Sequence, residues 1–535
     1  MPDFDALHYP YASRRNVVYA KRGMVATSQP LAAQVGLQVL QAGGNAIDAA
    51  IATAAALTVV EPSANGIGGD AFALVWHQGK LHGLNASGPA PQAMTLEKVT
   101  AQGLTEIPKY GPLAVTVPGT PAAWAALAAR FGRLPLTTSM AGAIELAHDG
   151  FPVSPSVAFA WQQATLVFCQ QLKGDHFKHW FDTFAPERAP LAGEVWRSAA
   201  HAKTLQSIAE TQAESFYRGP LAEQISAFVQ SAGGYLSAND LADFAVDWCD
   251  PISAHYRGYD VWEIPPNGHG LVALMALNIL KGFEFSERDT VLTHHRQIEA
   301  IKLAFADGFA HIAEPSHMRV SVADLLSDAY AQERRALIGG RATLPLPGEP
   351  ARGGTVYLST ADREGNMVSF IQSNYMGFGS GLVVPGTGIA LHNRGNNFSL
   401  RAGHPNCLAP GKRPYHTIIP GFLTKGGQAV GPFGVMGGFM QPQGHVQMVM
   451  NTVDFGLNPQ AVLDAPRWEW EAANRVNIER TMPEHLYHGL ARLGHDVAWS
   501  NNRLAFGRGQ IIWRNADGVF CGGTEPRTDG TVIAW

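Results

Sequence analysis

From Pro30 to Ala42 apolar residues recur every three to four positions, and the period predicts a helix. Gly43-Gly44-Asn45 breaks it, and Ala46–Val60 starts a second helix. Within it, Ala49–Val60 is interrupted only by Thr53 and Thr58, too short a run to cross a membrane and suited to a core helix. Glu61–Asp70 reads as a loop. Ala71–Trp76 and Leu81–Asn85 alternate around Gln78-Gly79-Lys80 and predict a hairpin. Val117-Pro118-Gly119 leads into a helix over Pro121–Phe131, with Thr120 as its expected N-cap. From about Ser139 to Arg341 the pattern is mostly helical. It is clearest over His294–His311, where Ile298, Ile301, Phe305 and Phe309 lie near one face.

The period stops at Leu344–Gly354. This stretch holds Pro345, Pro347, Pro350, Gly348, Gly353 and Gly354, a composition that predicts an exposed, cleavable linker. Beyond it the pattern changes to strands: Val356–Ala361, a turn at Asp362–Asn366, and Met367–Ser373. Gln428–Met436 and Gln510–Arg514 read as further strands, and Gln443–Asn451 and Pro483–Leu493 as helices. Helix layers around sheets, an α+β or sandwich-like arrangement, are expected.

Composition narrows the function classes. The 535 residues are 46% hydrophobic and 16% charged, with net charge −5, so no basic footprint for nucleic acid is present. Cys169, Cys249, Cys407 and Cys521 lie far apart, which argues for buried thiols in a reducing compartment rather than a disulfide or zinc framework. The start Met1-Pro2-Asp3-Phe4-Asp5 lacks the apolar core of a signal peptide, so the cytoplasm is the expected location and no membrane partner is expected. Gly66-Ile67-Gly68-Gly69-Asp70 lacks dinucleotide spacing, and no histidine lies in an HExxH pattern. The adjacent His294 and His295 read as solvated or packing residues. No cofactor and no metal site are expected.

The linker ends at Gly353-Gly354-Thr355. An internal threonine is a poor nucleophile. Cleavage of the Gly354–Thr355 bond would give Thr355 a free α-amine, which titrates near pH ~8 and can take the proton of its own hydroxyl. Alone, a Gly-Gly-Thr run far more often describes a turn entering a strand.

Other segments decide between these readings. Gly43–Ala50, Gly66–Gly69, Val117–Gly119, Leu303–Asp307, Phe378–Gly381, Lys412–Pro414, Met436–Gly438 and Glu525–Gly530, in this order and spacing, resemble the γ-glutamyltransferase family of N-terminal-nucleophile hydrolases along the whole chain. The resemblance implies a four-layer α/β/β/α sandwich, one intertwined domain. It also implies a precursor that cuts itself before Thr355 into a large subunit, 1–354, and a small subunit, 355–535. A homodimer of such heterodimers is a candidate assembly. Thr355 aligns with the nucleophile, and Ser373 stands where the family has a hydroxyl that hydrogen-bonds it. Gly437 and Gly438 align with the glycines whose N–H groups form the oxyanion hole.

The glutamate-recognising positions depart from the family. Ser87 replaces the arginine that holds the α-carboxylate. Asn397 and Arg394 replace an aspartate and a glutamine that hold the α-amine. Tyr375 replaces an asparagine near the nucleophile, and His416 and Thr417 replace paired serines. These changes predict a pocket about two charge units more positive, one that repels an ammonium and grips a carboxylate through Arg394. The short Phe398–Pro414 stretch implies an open pocket without a lid loop. The pattern looks closest to the soluble lidless branch that includes oxamate amidohydrolases and β-lactam acylases. The leading expectation is hydrolysis of a small carboxylate-bearing amide, with oxamate giving oxalate and ammonia as the candidate. The alternatives are a γ-glutamyltransferase or glutathione hydrolase, a cephalosporin-type acylase, and an unprocessed scaffold.

Overall fold

A computed structural model of the chain describes residues 10–11, 15–344 and 354–535. The readings made for residues 1–9 and for the linker at 345–353 lie outside the described residues. Two seven-stranded, wholly antiparallel sheets form the centre. The first runs Thr531–Ala534, Gly23–Thr27, Gly354–Asp362, Met367–Tyr375, Asp70–His77, Lys80–Ala86, Asp247–Cys249. The second runs Val18–Ala20, Phe520–Thr524, Arg508–Arg514, Gln428–Met436, Gly421–Lys425, Tyr259–Glu263, Ile252–Tyr256. Each sheet contains strands from both sides of Gly354, so neither half has a sheet of its own.

Helices cover the outer faces. Asn45 caps Ala46–Val60 by accepting from the Ile47 and Asp48 N–H groups, while the Asp48 carboxylate accepts from the Asn45 N–H. Every residue of this helix is buried, which explains the near-absence of polar positions. It is tied to the first sheet by Thr360 Oγ1 donating to the Ala46 carbonyl at 2.7 Å and Gln372 Nε2 to the Ala54 carbonyl at 2.8 Å. The helices Gly270–Leu280 and Met440–Val453 cover the second sheet. The result is a four-layer α/β/β/α sandwich.

The sheets meet face to face through small residues. A methyl group on Gly434 would lie 2.5 Å from the Tyr357 ring, and one on Gly431 would lie 3.0 Å from Met367, the cross-strand neighbour of Ala361. Three residues forward along Gln428–Met436 therefore correspond to about four backward along Gly354–Asp362.

Several expectations need correction. Thr120 is not an N-cap: the helix runs Thr120–Phe131, Gly119 is the cap residue, and Thr120 makes no cap bond. The span Ser139–Arg341 contains Asp247–Cys249, Ile252–Tyr256 and Tyr259–Glu263, strands at or next to the sheet edges that extend both sheets and are too short for their period to stand out between helices. Asp70 is not loop but the first residue of a strand. Of the four free cysteines only Cys521 is buried; Cys169 is exposed. His294 and His295 are both buried, so the packing reading applies and the solvated one does not. Among the described residues no helix is long and apolar enough to cross a membrane.

Candidate active site

Thr355 stands at the start of its strand, buried between the sheets. A register shift between Gly354 and Val356 marks this point in the pairing with Met367–Tyr375. Thr355 Oγ1 lies 3.1 Å from Ser373 Oγ, and Ser373 Oγ accepts from the Tyr375 N–H at 2.8 Å. The two hydroxyls thus share a hydrogen bond inside a site from which bulk water is excluded. The Gly66–Gly69 loop supports this strand end from behind. A methyl on Gly69 would come within 2.6 Å of the Ser373 carbonyl, and one on Gly68 would collide with the Ala390 carbonyl. Any larger residue would push the loop off the backbone that holds Ser373.

Gly437 and Gly438 follow the strand Gln428–Met436, with φ of +141° and +61°. These backbone angles favour glycine. Neither N–H has an acceptor among the described residues, the state expected of donors kept for a developing oxyanion. Gly437 abuts Gly507, whose Cα would be 3.1 Å from an added methyl. On the other side, the Gln441 N–H donates to the Gly438 carbonyl and Gln441 Oε1 accepts from the Ile419 N–H. Ile419 follows closely on His416 and Thr417.

Arg394 is fully buried. Its Nε donates to Asp70 Oδ2 at 3.2 Å, one terminal nitrogen to Asp70 Oδ1 at 3.3 Å, and the other to Thr417 Oγ1 at 2.7 Å. The Tyr375 ring lies over the guanidinium, 4.4 Å from ring centre to Cζ. A guanidinium has five N–H donors. The remaining two, one on each terminal nitrogen, have no acceptor among the described residues.

Asp70 organises this cluster. It is the direct cross-strand partner of Ser373. His416 Nε2 lies 2.7 Å from Asp70 Oδ2, and His392 Nδ1 lies 3.3 Å from the same oxygen. His416 Nδ1 accepts from the Ile418 N–H, so Nε2 carries the single proton and donates it. Burial, reinforced by Arg394, pushes His416 down to about 4 despite Asp70, and the ring is neutral near pH 7. Burial would raise the Asp70 carboxyl. Arg394, His416 and His392 outweigh that and hold it well below the usual range. The expected gain of about two positive units therefore needs correction. The Asp70 carboxylate, which is not among the pocket positions named from the sequence, offsets the Arg394 charge.

Other predicted positions lie close by in different roles. Asn397 Nδ2 donates to the Tyr415 carbonyl at 3.0 Å. Ser87 Oγ donates to Asn85 Oδ1 at 2.7 Å and accepts from Asn267 Nδ2 at 3.1 Å, and the Asn267 carbonyl accepts from the His416 N–H. Ser87 is thus part of the wall behind His416. The phenol oxygen of Tyr415 is buried without an acceptor or donor among the described residues, as expected where a polar ligand completes the bonding.

The family model for gamma-glutamyltranspeptidase matches residues 32–535. The chain belongs to the gamma-glutamyltranspeptidase family. Among its relatives, the glutathione hydrolase-like YwrD proenzyme of Bacillus subtilis is 34% identical over 96% of this chain and 99% of its own. The oxamate amidohydrolase proenzyme of Klebsiella pneumoniae is 35% identical over 96% and 98%. The crystal structure of cephalosporin acylase from Bacillus halodurans superimposes with a TM-score of 0.96 over 99% of both chains, at 64% identity. The protein is an enzyme of the N-terminal-nucleophile hydrolase type.

A second buried cluster in this family member draws together His295, Glu299 and His495, with one ligand atom from each within 4.8 Å of the others. Lys302 Nζ lies 2.6 Å from Glu299 Oε1. His295 donates from Nε2 to the Gly339 carbonyl and accepts at Nδ1 from His495 Nε2. The ammonium and these protons take the positions a cation would need. Glu299 also accepts from the Thr343 N–H at 3.0 Å, so the cluster fastens the chain just before the linker.

Proposed function

We propose that the chain cuts itself between Gly354 and Thr355 into subunits 1–354 and 355–535 and then hydrolyses an amide with Thr355. The 3.1 Å approach of the Thr355 and Ser373 hydroxyls carries this reading. In the precursor, Thr355 Oγ attacks the Gly354 carbonyl carbon and the C–N bond gives way to an ester. Breaking that bond frees the Thr355 α-amine, and water then hydrolyses the ester to release the Gly354 carboxylate and restore the Thr355 hydroxyl. In the processed enzyme that amine takes the hydroxyl proton as Oγ attacks the substrate carbonyl. Gly437 and Gly438 N–H groups stabilise the oxyanion. The proton then passes to the departing amine, and water releases the acid from the Thr355 ester.

The acyl group is read from Arg394. Its two remaining N–H donors match the two oxygens of a carboxylate. Because Asp70 neutralises the ion pair, binding rests on directed hydrogen bonds and not on excess charge. Ser87, Asn397, Tyr375, His416 and Thr417 shape the same pocket. Oxamate, an amide joined directly to a carboxylate, fits this arrangement and is the candidate substrate. The test is ammonia release from oxamate beside release from γ-glutamyl-p-nitroanilide. Turnover of the glutamyl compound with none of oxamate would sink the substrate assignment.

A cephalosporin-type acylase is the second reading. It is favoured by 64% identity to the Bacillus halodurans acylase.

A further inference from the structure

Tyr375 ends the strand Met367–Tyr375 with φ +73°. An aromatic residue is rare in this left-handed region, which suits glycine and asparagine. Among the described residues six besides glycine have positive φ, and of these only Tyr375 joins a large side chain to full burial. Asn393 accounts for the bend. Its N–H donates to the Asn374 carbonyl at 3.2 Å, and its Oδ1 accepts from the Met376 N–H at 3.0 Å. One residue thus grips the chain on both sides of Tyr375. Asn393 is fully buried and donates from Nδ2 to the Lys109 carbonyl at 2.8 Å, so the grip is anchored in the first half of the chain. It also stands directly before Arg394.

The bend serves two groups at once. The Tyr375 N–H turns back on its own strand and donates to Ser373 Oγ at 2.8 Å, and that oxygen lies 3.1 Å from Thr355 Oγ1. The Tyr375 ring lies over the Arg394 guanidinium, 4.4 Å from ring centre to Cζ. Because Asn393 holds the chain beyond Tyr375, a relaxation of φ has to move either the ring or the 374–375 peptide. That peptide carries the N–H bonded to Ser373. Glycine or asparagine would accept the bend and leave the guanidinium uncovered. An aromatic residue on an ordinary backbone would cover Arg394 only by moving the peptide that holds Ser373.

We propose that Tyr375 is a positioning residue whose forced backbone couples the nucleophile to the carboxylate anchor. Its N–H orients the Ser373 hydroxyl, its ring holds the Arg394 guanidinium in place, and Asn393 imposes the bend that allows both. The ring's part rests on the anchoring role of Arg394 proposed above. The backbone's part rests only on the contact between Ser373 and Thr355.

Three substitutions separate the two parts. Tyr375→Gly and Tyr375→Asn remove the ring and suit the bend, whereas Tyr375→Ala removes the ring and does not suit it. All three are expected to raise KM for oxamate on the order of tenfold. Relative to Tyr375→Gly and Tyr375→Asn, Tyr375→Ala is expected to lose a further factor of roughly ten in kcat and in the rate of self-cleavage. Its Tm is expected to lie about 1–2 °C below that of Tyr375→Gly, the reverse of the usual order of alanine and glycine. Calorimetry with oxalate reads the ring without turnover. Oxalate affinity or oxamate KM in Tyr375→Gly and Tyr375→Asn equal to the parent's overturns the ring's part. Equal self-cleavage in Tyr375→Ala and Tyr375→Gly, or a Tm for Tyr375→Ala at or above that of Tyr375→Gly, overturns the backbone's part. A parent that cuts itself and leaves oxamate intact counts against the substrate reading, while self-cleavage rates and the Tm order still judge the bend. A parent that stays a single chain counts against the amide-hydrolase reading, and the Tm order alone then judges the bend.

Discussion

Arg394 and Asp70 form a forked, fully buried ion pair, with Nε–Oδ2 at 3.2 Å and a second nitrogen–oxygen contact at 3.3 Å. It links the two pocket elements, since Asp70 is the cross-strand partner of Ser373 and Arg394 also binds Thr417. Removing one partner of a buried pair leaves an uncompensated charge and costs about 3–5 kcal/mol. Asp70→Asn is expected to lower the Tm clearly, and Asp70→Asn/Arg394→Gln to recover part of the loss. Thermal denaturation of the single and double variants checks this. A double variant whose loss equals the sum of the two singles would show that the pair is not coupled.

Self-cleavage gives a simple readout. Thr355→Ala is expected to stay a single chain on a denaturing gel, and Thr355→Ser to yield two. Ser373→Ala is expected to slow processing, while Ser373→Thr, which keeps the hydroxyl, processes at a rate close to the parent. Full processing of Thr355→Ala would remove Thr355 from the reaction.

For a carboxylate-bearing amide, Arg394→Lys is expected to raise KM by about 10- to 100-fold, because hydrogen bonds to charged groups contribute about 1.5–3 kcal/mol and a lysine does not reproduce the fork. Steady-state kinetics that show a change in kcat alone would contradict the anchoring role.

Gly437→Ala strains a backbone at φ +141° and moves the oxyanion donor, with its new methyl 3.1 Å from Gly507. The expected loss in kcat is on the order of 10²–10³, with little change in KM. Circular dichroism on the same sample separates this from unfolding. A folded variant with parental kcat would exclude the oxyanion role.

Stability should decline in mild acid. Burial depresses His201 and His416 to about 4 and His495 to about 3. The unfolded chain takes up these protons first, from an ordinary value near ~6.5. Their contribution is fully present above about pH 6.5 and is lost as pH falls towards 4. Burial, which outweighs their charged partners, holds Glu61 and Glu263 above the usual range, and these groups act in the opposite direction. The expected result is a Tm that falls between pH 7 and 4.5, with a shallower fall in His201→Gln. A Tm that is flat or rises across this interval would refute the sign.

Much of the fold can be read along the chain. The helices at Pro30 and Ala46, the strand Gln428–Met436 and the hairpin after Asp70 follow from local periodicity, which neighbouring residues set. The short strands within Asp247–Glu263 do not, because three- to five-residue segments acquire their identity from the sheets they extend. Asp70 could have been found as the one charge closing the Gly66–Gly69 motif, yet nothing local to it reveals Arg394, which is 324 positions away.

The sequence by itself determined the family and pointed to Thr355 as the proposed nucleophile and to the glycines at 437 and 438 as the proposed oxyanion donors, because order and spacing of motifs survive without coordinates. Only the tertiary structure decided the electrostatics around them. Charge in a pocket is a sum over groups that meet in space. Asp70, His416 and Arg394 become one nearly neutral hydrogen-bonded unit only when a strand from the first half of the chain lies against one from the second.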